Sequence, residues 1–105
     1  MTDGTIILVS KVLSGKDSRM KPIYEETTSE VFAIFEDVSR SEYFSASQNG
    51  IEPEELVVVN PVEYNGEKSA IVNGRRLSIY RTYKRSVNEL ELYLHQGLGL
   101  NGGSV

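Results

Sequence analysis

The 105-residue sequence has no cysteine and one histidine, His95. Without thiols there can be no disulfide, no cysteine nucleophile, and no Cys-based zinc or iron–sulfur site. With one imidazole there is no His-pair metal site and no two-histidine relay. The expectation is a protein without metal, cofactor or catalytic residues. A composition of 39% apolar and 9% aromatic residues fits a folded domain, neither disordered nor membrane-spanning. The start, Met1-Thr2-Asp3-Gly4, has no basic region ahead of its apolar run and no cleavage site, so a cytosolic location before any assembly step is expected.

Charge is present, in blocks. The net charge of −4 averages over +2 for residues 1–24, −10 for 25–67, +6 for 68–85 and −2 for 86–105. Arg40 is the only basic residue in the second block, and the third contains no acid. Asymmetry of this kind concerns partners more than fold. In a ring of copies, the acidic block and the basic hairpin would become complementary faces of neighbours, a heterologous contact.

Apolar periodicity is mostly two. Thr5 to Leu13 is a β-rich run, residues 14–22 read as a solvated loop, and Ile23 to Val38 is extended again. Val31, Ala33 and Phe35 alternate with the equally apolar Phe32 and Ile34, which predicts a central strand. Ser39 followed by Glu42 fits a capping box and predicts a short helix over about 40–48. Tyr43 and Phe44 are adjacent, so only one of them can point at the core. Asn49-Gly50 stops the helix, and 49–55 reads as an exposed loop. Leu56 to Val59 is a short buried strand that Pro61 confines to an edge or an end.

Asn73-Gly74 between Ser69–Val72 and Arg75–Tyr80 is a type I′ hairpin signal. Val87 to Leu94 closes the sheet, with Leu90, Leu92 and Leu94 on one face and Glu89, Glu91 and Tyr93 on the other. The fold class expected is mainly β: one small six- to seven-stranded β-barrel over 1–96, with one short inserted helix. Residues 97–105 are expected to be a flexible Gly-rich tail.

Several motifs have a competing bland reading. Gly97-Leu98-Gly99-Leu100-Asn101-Gly102 has dinucleotide-fingerprint spacing, but only three residues follow where a helix is required. The acidic pairs Glu25-Glu26, Glu36-Asp37 and Glu54-Glu55 point to opposite faces of a strand and do not converge as acid–base pairs. His95 has no nearby nucleophile or paired acid in sequence. Lys68, Arg75, Arg76, Arg81, Lys84 and Arg85, interleaved with Tyr80 and Tyr83, admit three readings. They are a solvated hairpin, a protein interface, or the single-strand-binding face of an oligonucleotide-binding barrel.

The stretch Val31-Phe32-Ala33-Ile34-Phe35-Glu36-Asp37-Val38-Ser39-Arg40-Ser41-Glu42-Tyr43-Phe44-Ser45-Ala46 resembles the strand-to-helix junction of the head-tail joining, or head-completion (stopper), proteins of long-tailed, siphovirus-type bacteriophages. Val72-Asn73-Gly74-Arg75-Arg76-Leu77-Ser78-Ile79 is similar to the family's basic hairpin, and Asn88 to Leu94 to its closing strand. The resemblance spans about 90 of the 105 residues. The chain departs from the family pattern in carrying Val57-Val58-Val59-Asn60-Pro61 where members commonly have an Arg.

The resemblance implies a structural protein, not an enzyme, located in the virion at the head-tail interface and in the host cytoplasm during assembly. It implies a ring that meets the portal or adaptor protein on one side and a tail-completion or tail-tube protein on the other. Packaged double-stranded DNA would occupy the channel without sequence-specific binding, no membrane is involved, and the isolated chain is compatible with a monomer. In some members the loop between the second and third strands gates the channel. The matching stretch is Ser41 to Glu55, with Gln48, Asn49, Glu52, Glu54 and Glu55 as candidate channel residues. Glu42 would join those acids in a negative collar, unless they serve only to keep a loop soluble. Arg40, Glu42, Tyr43, Phe44, Arg75, Arg76 and Arg81 are the candidate inter-subunit or partner contacts.

Overall fold

The computed structural model describes residues 2–96; Met1, the glycine-rich segment 97–105 and the fingerprint-like motif within it lie outside the described residues. The elements follow in the order β1 (Thr2–Lys16), β2 (Pro22–Glu36), α1 (Arg40–Ser47), β3 (Pro53–Val59), a 3-10 turn (Pro61–Glu63), β4 (Ser69–Val72), β5 (Arg75–Ser86) and β6 (Glu89–His95). All six strands pair antiparallel and close into a barrel in the order β1-β2-β3-β6-β5-β4. The expected small β-barrel with one inserted short helix is the architecture observed.

Alternation explains the interior. Ile6 and Leu8 of β1, Val31 and Ala33 of β2, and Val57 and Val59 of β3 face the core. Ala70 and Val72 of β4, Leu77 of β5, and Leu90, Leu92 and Leu94 of β6 complete it. Each buried Leu or Ile contributes about 1.5–3 kcal/mol by leaving water. Gly4 is where the pleat needs no side chain, because a Cβ there would sit 3.0 Å from the Phe35 ring. The Asn73-Gly74 turn adopts positive φ at both residues, 50° and 81°, as a type I′ turn requires.

The strands differ from the sequence expectation in three places. The β1–β2 ladder runs from Thr2↔Phe35 to Lys16↔Pro22 with one bulge, at Ser14, so the predicted 14–22 loop contracts to 17–21. Its tip is organised by Asp17, whose carboxylate accepts from the backbone N–H of Arg19 and of Lys21 at 2.8 and 2.9 Å. Residues 53–55 belong to β3, not to a loop, since proline is tolerated as the first residue of a strand. Phe32 is exposed, although apolar groups on both faces argued for a central strand. The reason is register: β3 reaches only Ile34–Glu36 of β2 and leaves the outer face at Phe32 uncovered.

The β1–β2 ribbon is much longer than the barrel it helps to form. β4 pairs with β1 only at Ile7, Leu8 and Val9. Residues 10–28 therefore continue as a two-stranded arm with no third strand beside them, six rungs or about 20 Å beyond the barrel. The molecule measures 50 Å along its longest axis and 23 Å along its shortest.

Candidate functional site

The short helix α1 has little to hold it by itself. Ser39 caps it, its Oγ accepting from the Glu42 N–H at 3.1 Å. The second half of the predicted capping box does not form. The Glu42 carboxylate instead accepts from the Tyr80 hydroxyl at 2.7 Å and from Arg81 Nη2 at 2.6 Å, which ties the helix to β5. Only Ala46 of the helix is buried. Tyr43 and Phe44 are both exposed, so neither points at the core as one was expected to. With eight residues and a single buried side chain, α1 depends on the Glu42 tether for its seat on the barrel.

Around that tether lies an aromatic and charged cluster. The Arg81 guanidinium sits 4.1 Å above the centre of the Tyr93 ring. Tyr80 packs edge-on against His95 at 5.3 Å and tilted against Tyr93 at 6.1 Å. Tyr93, assigned to the outer face of β6, is buried under this covering. A cleft of about 490 Å³ opens beside the cluster, lined by Glu42, Ser45, Ala46, Asn49, Ile51, Tyr80 and Arg81.

The titrations follow from the packing. Burial opposes the charge on Glu42, but the hydrogen bonds from Arg81 and Tyr80 outweigh it and hold the carboxyl below its ordinary value. Burial and the hydrogen bond to Glu91 push Tyr93 up to about 12. Tyr80 is raised by burial and by its bond to Glu42. Burial lowers His95 from its ordinary 6.5. Its ring packs edge-on against Tyr80, and its strand partner across the β5–β6 ladder is Ser78. Among the described residues no group of three or more His, Asp or Glu side chains is arranged to hold a metal ion.

Every arginine of the basic segment is already paired within the chain. Arg75 bonds Glu54 at 2.8 Å with Glu55 at 4.0 Å, and Arg76 bonds Glu26 at 2.7 Å. Arg81 bonds Glu42 at 2.6 Å, and Arg85 bonds both Glu36 and Glu91 at 2.8 Å. Five of these carboxylates, Glu26, Glu36, Glu42, Glu54 and Glu55, come from the −10 block. Much of the complementarity expected between neighbouring copies is thus present inside one molecule, with Arg75, Arg76 and Arg81, the candidate partner contacts, each holding a carboxylate at the surface. Lys68 and Lys84, both exposed, are the cations of the segment with no acid partner among the described residues.

The candidate channel residues are likewise divided. Gln48 and Asn49 follow α1, and the Asn49 N–H bonds the Ala46 carbonyl at 2.9 Å. Glu52 is exposed in the remaining connection, whereas Glu54 and Glu55 lie on β3. Arg40 is exposed at the first turn of α1. Sequence reasoning missed Tyr80 and Arg85 as organising residues. Both stand where the β5–β6 register slips, as Glu54 does in β3–β6. Such bulges re-aim a side chain, and alternation read along one strand has no means of locating them.

A closed six-stranded antiparallel barrel carrying one helix on its end is the class the geometry defines. Compared with known families and with curated proteins, the sequence matches no family model and no relative.

Proposed function

We propose that the protein is a structural head-completion (stopper) component of a long-tailed phage particle. It assembles as a ring at the head-tail connector, closes the DNA channel and presents the surface on which the tail docks. The observation that carries this reading is the closed barrel with its helix inserted directly after β2, where the sequence resemblance to that family is strongest. The exposed Tyr43 and Phe44 on that helix give the end of the barrel an aromatic contact surface of the kind a connector protein would cover. Portal or adaptor protein on one side and a tail-completion or tail-tube protein on the other are the partners of this reading. Double-stranded DNA passes through without sequence-specific contact.

Intramolecular pairing changes the expected lining. Glu42 and Glu54 are bonded to arginines, so Glu52 is the acid of the connecting segment best placed to repel DNA from a lumen. Deleting the gene from the phage or prophage that carries it tests the function. The expected result is DNA-filled heads without tails that leak nuclease-sensitive DNA, seen by electron microscopy and nuclease digestion. Tailed, infectious particles at normal titre would overturn the proposal.

A further inference from the structure

The arm formed by residues 10–28 is the part of the molecule with the least explanation in the monomer. Residues 11–16 and 22–30 are all exposed. Leu13 faces Tyr24 across the ladder on one side, while Val12 and Ile23 lie on the other, and Met20 is 70% exposed at the tip. A free two-stranded ribbon is marginal in water, and one that is apolar on both faces is buried only when something lies against each of them.

Charge indicates what that something is. The tip, residues 14–24, carries Lys16, Arg19 and Lys21 against Asp17, an excess of two positive charges, and Asp17 is engaged by the turn backbone. None of the three cations has an acid within 4.0 Å among the described residues. At the other end of β2 the segment 36–55 carries six carboxylates. Against them stand Arg40 and the three bridging arginines 75, 81 and 85, an excess of two negative charges, with Asp37 and Glu52 unpaired among the described residues. The two ends are separated by the whole of a 15-residue strand, about 46 Å. A chain cannot bring its own arm to its own acidic end.

From this placement we infer that the β1–β2 arm is the assembly element of the protein, docking its basic, apolar tip against the acidic helix end of a second copy. The contact is head-to-tail, so repetition closes into a ring when the rotation allows. The inference rests on the ring-forming reading above and names the segment that makes the ring.

Sedimentation of the purified chain over increasing concentration, to about 1 mM, tests it. Wild type is expected to self-associate, more weakly as salt rises. K16E/R19E/K21E and D37K/E52K are each expected to weaken association by about tenfold or more, and an equimolar mixture of the two to restore it. Leu13→Ser tests the apolar part, with circular dichroism confirming that the barrel remains folded.

Association unchanged in the arm variants overturns the inference and leaves the ring itself standing. So does loss of binding to a short DNA duplex with self-association intact, since the arm would then be a nucleic-acid contact. A wild-type chain that stays monomeric throughout overturns the arm as a self-contact. The gene-deletion phenotype judges the stopper function separately from each of these outcomes.

Discussion

The barrel and the arm are built from the same two strands, yet they obey different rules. Inside the barrel, Ile6 and Leu8 of β1 and Val31 and Ala33 of β2 alternate into the core and are almost completely buried, with Val9 buried beside Leu8. Every arginine on the barrel's β5 is matched to a carboxylate of the same chain. Past Val9 the same ladder continues with no third strand, touched from the barrel by Arg76 on Glu26. Its apolar residues are exposed, and its cations at the tip have no acid partner among the described residues. The barrel carries the buried core, whereas the arm leaves its apolar side chains exposed. The charge blocks in the sequence hid this distinction, because all four arginines of the basic block meet carboxylates of the same chain.

The sharpest way to break the comparison is to remove equal bulk from each region. Leu92→Ala, at a fully buried position, is expected to lose about 2–5 kcal/mol in chemical denaturation. Leu13→Ala in the arm is expected to change monomer stability by less than about 0.5 kcal/mol. Equal losses would make the arm part of the cooperative core.

Next in size is the tether between helix and barrel. Glu42→Ala leaves the Tyr80 hydroxyl and Arg81 without their acceptor, at a cost of about 1–2 kcal/mol. Amide exchange should accelerate throughout α1 while β6 remains protected. The same carboxylate sets an acid limit. Glu36 and Glu42 are held below their ordinary 4.5 in the folded protein, Glu36 chiefly by its hydrogen bonds from Arg85. Their stabilisation is complete above that value and disappears as pH falls through the lower folded-state values, because the unfolded chain takes up protons first. Urea midpoints should therefore fall below about pH 4.5, and E36Q or E42Q should flatten the decline.

Turns come third. Gly74→Ala forces a Cβ into φ 81° and is expected to cost about 1 kcal/mol by thermal melting. The smallest effect belongs to the exposed ion pairs. Arg75→Ala removes the Glu54 bridge from a half-exposed guanidinium and should change stability, measured by urea denaturation, by less than about 1 kcal/mol.

The features legible in the sequence are those that depend on local rules. Leu90, Leu92 and Leu94 declared an inward face by period two, Asn73-Gly74 declared a turn by its tolerance of positive φ, and Ser39 declared a helix start by its hydroxyl. The site was legible only in fragments. Glu42 and Arg81 were singled out separately, but their bond joins residues thirty-nine positions apart, a distance no local pattern encodes. Bulges at Tyr80 and Arg85 then shift the phase of β5, so counting alternate residues assigns faces wrongly beyond each one. The arm escaped for another reason. A hydrogen-bonded hairpin with exposed apolar residues has the same local pattern as one lying on a core. The difference lies in where β4 and β3 stop.

Those stopping points also bear on how the chain folds. The β1–β2 ribbon is joined to the remaining four strands by two seams of three residue pairs each, Ile7–Val9 with β4 and Ile34–Glu36 with β3. The first seam brings together residues sixty-four positions apart. Loop closure over that separation gains nothing until the two sheets already exist, so barrel closure is the late, slow event of folding. The same brevity makes these seams the thinnest junctions of the barrel, three pairs each against the six that join β3 to β6, and the places where opening is expected first.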